Sequence, residues 1–135
     1  MTELERAYLA GLFDGEGCIS YFNQTGTPLL KIVLQMCSQE VVAWIQDIFP
    51  GSFREILREG HPICYRWEIS KKEALKSFLE MIQPYARVKR KLVSLGLQFT
   101  DTIGDSRRPI SDENLYIRYR IIDEIDKTNF QRGRN

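Results

Sequence analysis

The chain has 135 residues, 43% hydrophobic and 27% charged, which suits one domain with a substantial core and an ordinary globular composition. Nineteen Lys and Arg stand against eighteen Asp and Glu, so the formal net charge of +1 names no partner by itself. No run approaches the roughly 18 apolar residues of a membrane span, and residues 1–17 carry acids where a secretory leader needs a basic lead; a soluble, intracellular protein is expected.

Leu4, Ala7, Tyr8, Gly11 and Leu12 recur at helical spacing and predict a helix over residues 3–13 with one apolar stripe. Asp14-Gly15-Glu16-Gly17 is expected to break it, through the backbone freedom of its glycines. Two strands follow, over 18–24 and 29–36, joined by the turn Thr25-Gly26-Thr27-Pro28. Ile19, Tyr21, Ile32, Leu34 and Met36 alternate inward; Ser20, Phe22, Gln24, Lys31, Val33 and Gln35 take the opposite face. A short helix over 39–49 turns Val42, Ile45 and Phe49 inward, and Pro50-Gly51 ends it. A second hairpin spans 53–58 and 63–69, with Phe53, Leu57, Tyr65, Trp67 and Ile69 inward and Arg54, Ile56, Arg58, Arg66 and Glu68 outward.

Ser70-Lys71-Lys72-Glu73 has the S-x-x-E form of a capping box, opening a helix that buries Leu75, Phe78, Leu79 and Ile82. Pro84 suits the start of the next helix, over 85–99. After a polar loop over 101–110, Ser111 is expected to cap a last helix to about residue 127. Residues 1–128 then form one domain and 129–135 a polar tail that frays. Two consecutive hairpins with helices between and after them give an α+β fold, an α-β-β-α-β-β-α core whose four-stranded antiparallel sheet has helices on one face and extra C-terminal helices. The other sheet face is left open.

Cys18, Cys37 and Cys64 are odd in number, widely spaced and without a CxxC pair, so they read as reduced thiols without disulfides or zinc. His61, in a Gly-His-Pro turn, is a surface residue, and Trp44 and Trp67 are read as core. Basic residues cluster at Arg87, Lys89, Arg90 and Lys91, at Arg107 and Arg108, and at Arg132 and Arg134.

Leu9-Ala10-Gly11-Leu12-Phe13-Asp14-Gly15-Glu16-Gly17 resembles the nine-residue signature of the LAGLIDADG homing endonucleases, matching it letter for letter at Leu9, Ala10, Gly11, Leu12, Asp14 and Gly17. The element order, Tyr65-Arg66-Trp67 entering a helix, Gln83-Pro84-Tyr85 before Lys89, and Asn129 before Arg132-Gly133 are also similar to this family. The resemblance implies a saddle-like sheet and a homodimer that makes a staggered cut, with 3′ overhangs, in a long, partly palindromic duplex DNA site of the kind that moves an intron or intein. It implies Glu16 as the metal-binding catalytic acid, with the Gly17 carbonyl as a further ligand and Mg²⁺ or Mn²⁺ as cofactor. It also places Lys89 near the reaction. Where family members carry a water-orienting glutamine this chain has Ser38, with Gln39 beside it, and the role falls to one of these two.

Physical chemistry supports the pairing on its own terms. Ala7, Gly11 and Gly15 lie four apart on one line of the helix, with Tyr8 and Leu12 alongside, so two copies can bring these backbones close. Two Glu16 carboxylates meeting on the axis repel unless a cation lies between them, and oxygen donors suit Mg²⁺. A strand ribbon fits the major groove, where arginine reads guanine, glutamine reads adenine and glutamate reads cytosine. The rival class is a nucleic-acid-binding protein that does not cut, such as an intron RNA maturase.

Overall fold

The computed structural model describes residues 1–104 and 107–133, the last three without their side chains; Ser106, Asp105, Arg134 and the side chain of Arg132 lie outside it. Thr2 opens α1 (Glu3–Glu16): its hydroxyl accepts from the Glu5 N–H while the Glu5 carboxylate accepts from the Thr2 N–H, a reciprocal cap that satisfies two orphan donors. The helix does not break at Asp14. It runs through Glu16 and passes at Gly17 directly into β1 (Gly17–Gln24). Gly17 is extended (φ −84°), so its backbone freedom is not what the site uses; a Cβ there would overlap the Phe13 ring.

The turn into β2 (Thr27–Met36) is tighter than expected. Thr25 (φ 49°) and Gly26 (φ 81°) form a two-residue turn with both φ positive, and Thr27 and Pro28 already belong to the strand. Then come α2 (Gln39–Ile48), β3 (Ser52–Ile56), β4 (Cys64–Ile69), α3 (Lys72–Ile82), α4 (Arg90–Thr100) and α5 (Asp112–Gly133). The sheet order is β1-β2-β4-β3, antiparallel throughout. One face carries Ile19, Leu30, Ile32, Leu34, Trp67 and Ile69, all at most 2% exposed, against Leu9, Phe13, Val42, Leu75, Phe78 and Phe99 from the helices. Trp67 fixes the middle of this core, since its ring packs 5.2 Å from that of Phe78 and its indole N–H donates to the Phe49 carbonyl at 2.8 Å.

Several expectations change for local reasons. β3 ends at Ile56, opposite Cys64, so Leu57 (69% exposed) and Arg58 leave the sheet, and Arg58 lends its carbonyl to the His61 N–H in the turn. Trp44 is half-buried at the surface beside Tyr8. Ser70 does not cap α3: Lys71 takes the N-cap position, which puts Glu73 one residue too early for a capping box. The next helix begins at Arg90 and not at Tyr85, after a segment of turns held against the rest of the chain. In that segment the N–H groups of Tyr85 and Ala86 donate to Ile82, and those of Arg87, Val88 and Lys89 all donate to the Asp14 carboxylate at 2.8, 3.2 and 3.0 Å. Helix α5 is capped by Ser111 as expected, but continues to Gly133, with Thr128 buried and its hydroxyl donating to the Glu124 carbonyl.

The C-terminal end of α1 is thereby held from two sides. Asp14 binds three backbone N–H groups of the 87–89 turn, and the buried Lys89 ammonium donates back to the Phe13 and Asp14 carbonyls at 3.0 and 2.7 Å. Partial burial raises the cost of charge on Asp14, but the three N–H donors and the Lys89 charge outweigh it and hold the carboxyl below its ordinary value. The associated stability is therefore full above the unfolded-state pKa of about 3.9 and is lost as pH falls through the lower folded value. Asp14→Asn is expected to cost about 1–3 kcal/mol in urea unfolding at pH 7 and to flatten the acid limb of the stability curve. Equal stability of the variant and the parent at both pH 7 and pH 3 would show that the clamp carries no energy.

Candidate active site and nucleic-acid interface

Glu16 is the last residue of α1 and is exposed, where the helix hands over to the first strand. Lys89 lies behind it. It is 7% exposed, stacked 5.6 Å from the centroid of Phe13 and bonded to the helix-end carbonyls, so it fixes the position of the residues around Glu16 rather than facing solvent. Ser38 is the N-cap of α2, its hydroxyl accepting from the Val41 N–H at 3.3 Å, while Gln39 begins that helix exposed. Of the two residues read for water positioning, only Gln39 has an uncommitted side chain by this geometry.

Register places the strand residues. Directly opposed residues of an antiparallel pair share a face. Ser20 faces Lys31, Val33 faces Glu68, Gln35 faces Arg66, and Arg54 faces Arg66 from the other side. Ser20, Phe22, Gln24, Lys31, Val33, Gln35, Arg54, Ile56, Arg66 and Glu68 thus form one continuous surface opposite the core; Arg58 lies outside it, in the β3–β4 connection. The same register adds Leu29, opposite Phe22, Thr27, opposite Gln24, Cys18, opposite Val33, Ser52, opposite Glu68, and Cys64, opposite Ile56; strand parity alone marks Leu29. The surface is organised by charge: Glu68 pairs with Arg66 at 3.2 Å and Lys31 at 3.6 Å, and Lys31 also lies 5.8 Å from the Phe22 centroid. Arg66 Nε is buried without a hydrogen-bond partner, which leaves a donor unused in the middle of the face.

The outer side of α1 is open. The helix buries Leu9, Ala10 and Phe13, whereas Tyr8 is 52% exposed, Gly11 and Gly15 are exposed, and Ala7 and Leu12 are half-buried. A Cβ added at Gly11 or Gly15 would meet nothing within 4 Å. The apolar stripe read from the sequence is therefore the uncovered face of the helix and not its core face. A groove beside it is lined by Ala7, Gly11, Asp14, Pro84, Tyr85, Arg87 and Arg90. Tyr85 closes its far wall, donating to Glu3 at 2.7 Å and stacking under Arg6 at 5.6 Å.

Among the described residues no group of three or more His, Cys, Asp or Glu side chains is placed to hold a metal ion. Near Glu16, Cys37 and Cys64 share a hydrogen bond, their sulfurs 3.0 Å apart; this bond first, then burial and the charges of Cys64 and Glu16, push the Cys37 thiol up. No helix among the described residues is long and apolar enough to cross a membrane.

The fold has counterparts in known proteins. The profile of the LAGLIDADG-like domain family matches residues 3–83. The homing endonuclease I-CvuI, in complex with the I-CreI target in the presence of magnesium with its DNA not cleaved, superposes with a TM-score of 0.76 at 20% identity, over 93% of this chain and 82% of that one. The archaeal intron-encoded homing endonuclease I-Vdi141I, complexed with DNA, gives 0.75 at 15% identity over 93% and 84%. The homing endonuclease I-TnaI gives 0.69 at 15% identity over 96% and 99%. At these identities the likeness is one of fold. No curated protein matches the sequence significantly. The profile match runs from the start of α1 past the end of α3, over more than half of the chain, and carries the Leu9–Gly17 motif with it: the chain belongs to the LAGLIDADG-like domain family.

Proposed function

We propose that two copies of this chain pair through α1 and hydrolyse phosphodiester bonds on both strands of duplex DNA at a specific, long and partly palindromic site, leaving 3′ overhangs. The observation that carries this reading is the position of Glu16: an exposed carboxylate at the junction between the open helix face and the polar strand face. The family and the DNA-bound endonucleases of the same fold support it.

Each copy supplies one Glu16, and closure of the Ala7, Gly11 and Gly15 faces about a two-fold axis, with Tyr8 and Leu12 at the rim, brings the pair together. The carboxylates and the Gly17 carbonyls then offer the hard oxygen set that Mg²⁺ or Mn²⁺ takes, which fits a site that is incomplete in one copy. When bound, such a cation activates water and stabilises charge on the phosphate and the leaving oxygen. The chain's own residues do the rest. Lys89 acts as a positioning residue through the helix end it holds, and Gln39 orients water, with Ser38 holding the start of its helix. The strand face enters the major groove, where Arg54, Arg66, Gln24 and Gln35 address base edges and Phe22 and Ile56 meet thymine methyls; Val33, expected to do the same, is covered by its neighbours at 7% exposure and supports the face from beneath. Arg58, Arg87, Arg90, Lys91, Arg107 and Arg108 contact phosphates and give affinity that falls steeply with salt.

Selection from a duplex library with Mg²⁺ should recover a cleaved site, and Glu16→Gln should bind that site within a few-fold of the parent while cutting at least about 100-fold more slowly. Binding by both proteins with no cutting under any divalent metal would remove the nuclease reading; splicing of an intron RNA by the unaltered chain in that case would establish the rival. Gly11→Val, placed where the fold has space, should remain folded yet sediment as a monomer, with self-association weakened on the order of 10-fold or more. A folded Gly11→Val dimer as tight as the parent would remove α1 as the interface.

A further inference from the structure

Cys37 and Cys64 have no part in the proposed chemistry, although Cys64 lies opposite Ile56 at the edge of the open strand face. The last paired residues of the β2–β4 ladder are Met36 and Tyr65, so one further step of the same register sets Cys37 opposite Cys64. Residues opposed across an antiparallel ladder have Cα atoms about 4.5–5.5 Å apart, inside the range of about 4.4–6.8 Å that a disulfide spans. The two sulfurs already touch at 3.0 Å, and the Cys64 thiol also lies 3.9 Å from the Pro62 carbonyl. Cys37 is exposed and Cys64 half-exposed, so a small oxidant reaches them. Cys18 is exposed too, but faces Val33 across its ladder.

We propose that Cys37 and Cys64 are a redox modification site, converted by peroxide to a cross-strand disulfide and restored by small dithiols. The sulfur of one of the two attacks one peroxide oxygen, the O–O bond breaks, and a sulfenic acid forms with release of one water. The other sulfur then attacks that oxidised sulfur; the S–O bond breaks, the S–S bond forms and a second water leaves. Two thiols and one hydrogen peroxide thus become one disulfide and two waters, and a dithiol returns the two electrons and two protons. The bridge closes a loop across 27 positions that holds α2 and β3, and it fixes the strand end just before Ser38, the cap of α2. In the reduced chain the ladder with β4 ends at Met36 and Tyr65, and beyond it the two thiols share a weak hydrogen bond.

The full chain, exposed to hydrogen peroxide and mapped without reduction, should fall from three free thiols to one. A Cys37–Cys64 peptide within a single chain should appear, the thermal midpoint should rise on the order of 5 °C or more, and dithiothreitol should reverse all three changes. Cys64→Ser should show neither the bridged peptide nor the rise. A thiol count that stays at three, a bridge to Cys18 or between chains, loss that dithiothreitol does not restore, or the same midpoint rise in Cys64→Ser would overturn the proposal. None of these readouts uses DNA, so the result is independent of whether the protein cuts it.

Discussion

The reciprocal hold between α1 and the 87–89 turn is the constraint on which the rest of the molecule depends. A helix C-terminus carries unsatisfied carbonyls and a partial negative charge, and a buried cation there contributes up to about 2 kcal/mol in favourable geometry. Lys89 supplies that cation while its own backbone N–H, with those of Arg87 and Val88, is bound by the Asp14 carboxylate at the same helix end. The consequence reaches two residues further: Glu16 leaves the helix from a fixed point, and Gly17 can enter the sheet only because it has no side chain to meet Phe13.

From that point the sheet does the placing. Eight residues of β1 pair with β2 without interruption, so the direction of each strand side chain follows from the first one. The polar surface that results is not a random wet face. Glu68 sits between Lys31 and Arg66, and Val33, although on the open side, is buried to 7% exposure by its neighbours. Surface ion pairs of this kind add little to stability. They do hold long side chains in defined positions, which lowers the entropy lost when such a surface binds a partner. Strong local charge on a chain of net charge +1 is consistent with recognition by arrangement more than by bulk attraction.

Elements with strong periodicity were legible in the sequence. Val42, Ile45 and Phe49, and Leu75, Phe78, Leu79 and Ile82, are buried as their spacing predicts, and ten of the eleven strand residues assigned to the open face, all but Arg58, share it because parity is a local property. What escaped depends on contacts between distant parts of the chain. Asp14 and Lys89 are 75 residues apart, and nothing local shows that the backbone after Pro84 is bound by a carboxylate of the first helix before α4 begins. Arg118 is similar. It reads as one charge in a polar helix, yet it is buried over the Phe99 ring and donates to Pro28 and Thr102, tying α5 to the first hairpin. Likewise the polar composition after residue 127 hid a helix that Thr128 anchors from one buried side.

The glycines of α1 bear on the proposed pairing through energetics. Glycine inside a helix costs about 0.5–1 kcal/mol relative to alanine. Gly17 and Gly51 have internal reasons for lacking a side chain, since a Cβ would overlap Phe13 in one case and the Glu68 carbonyl in the other. Gly11 and Gly15 have none: both are helical, neither has positive φ, and space around both is open. Within one copy of the chain alanine would serve better at both positions. A second helix lying across this line of the first changes the balance, because the missing Cβ atoms are what allow the two backbones to approach. In the proposed pair the same approach sets one Glu16 beside another, so the cost carried by these two residues and the chemistry proposed for the carboxylates would have a common geometric cause.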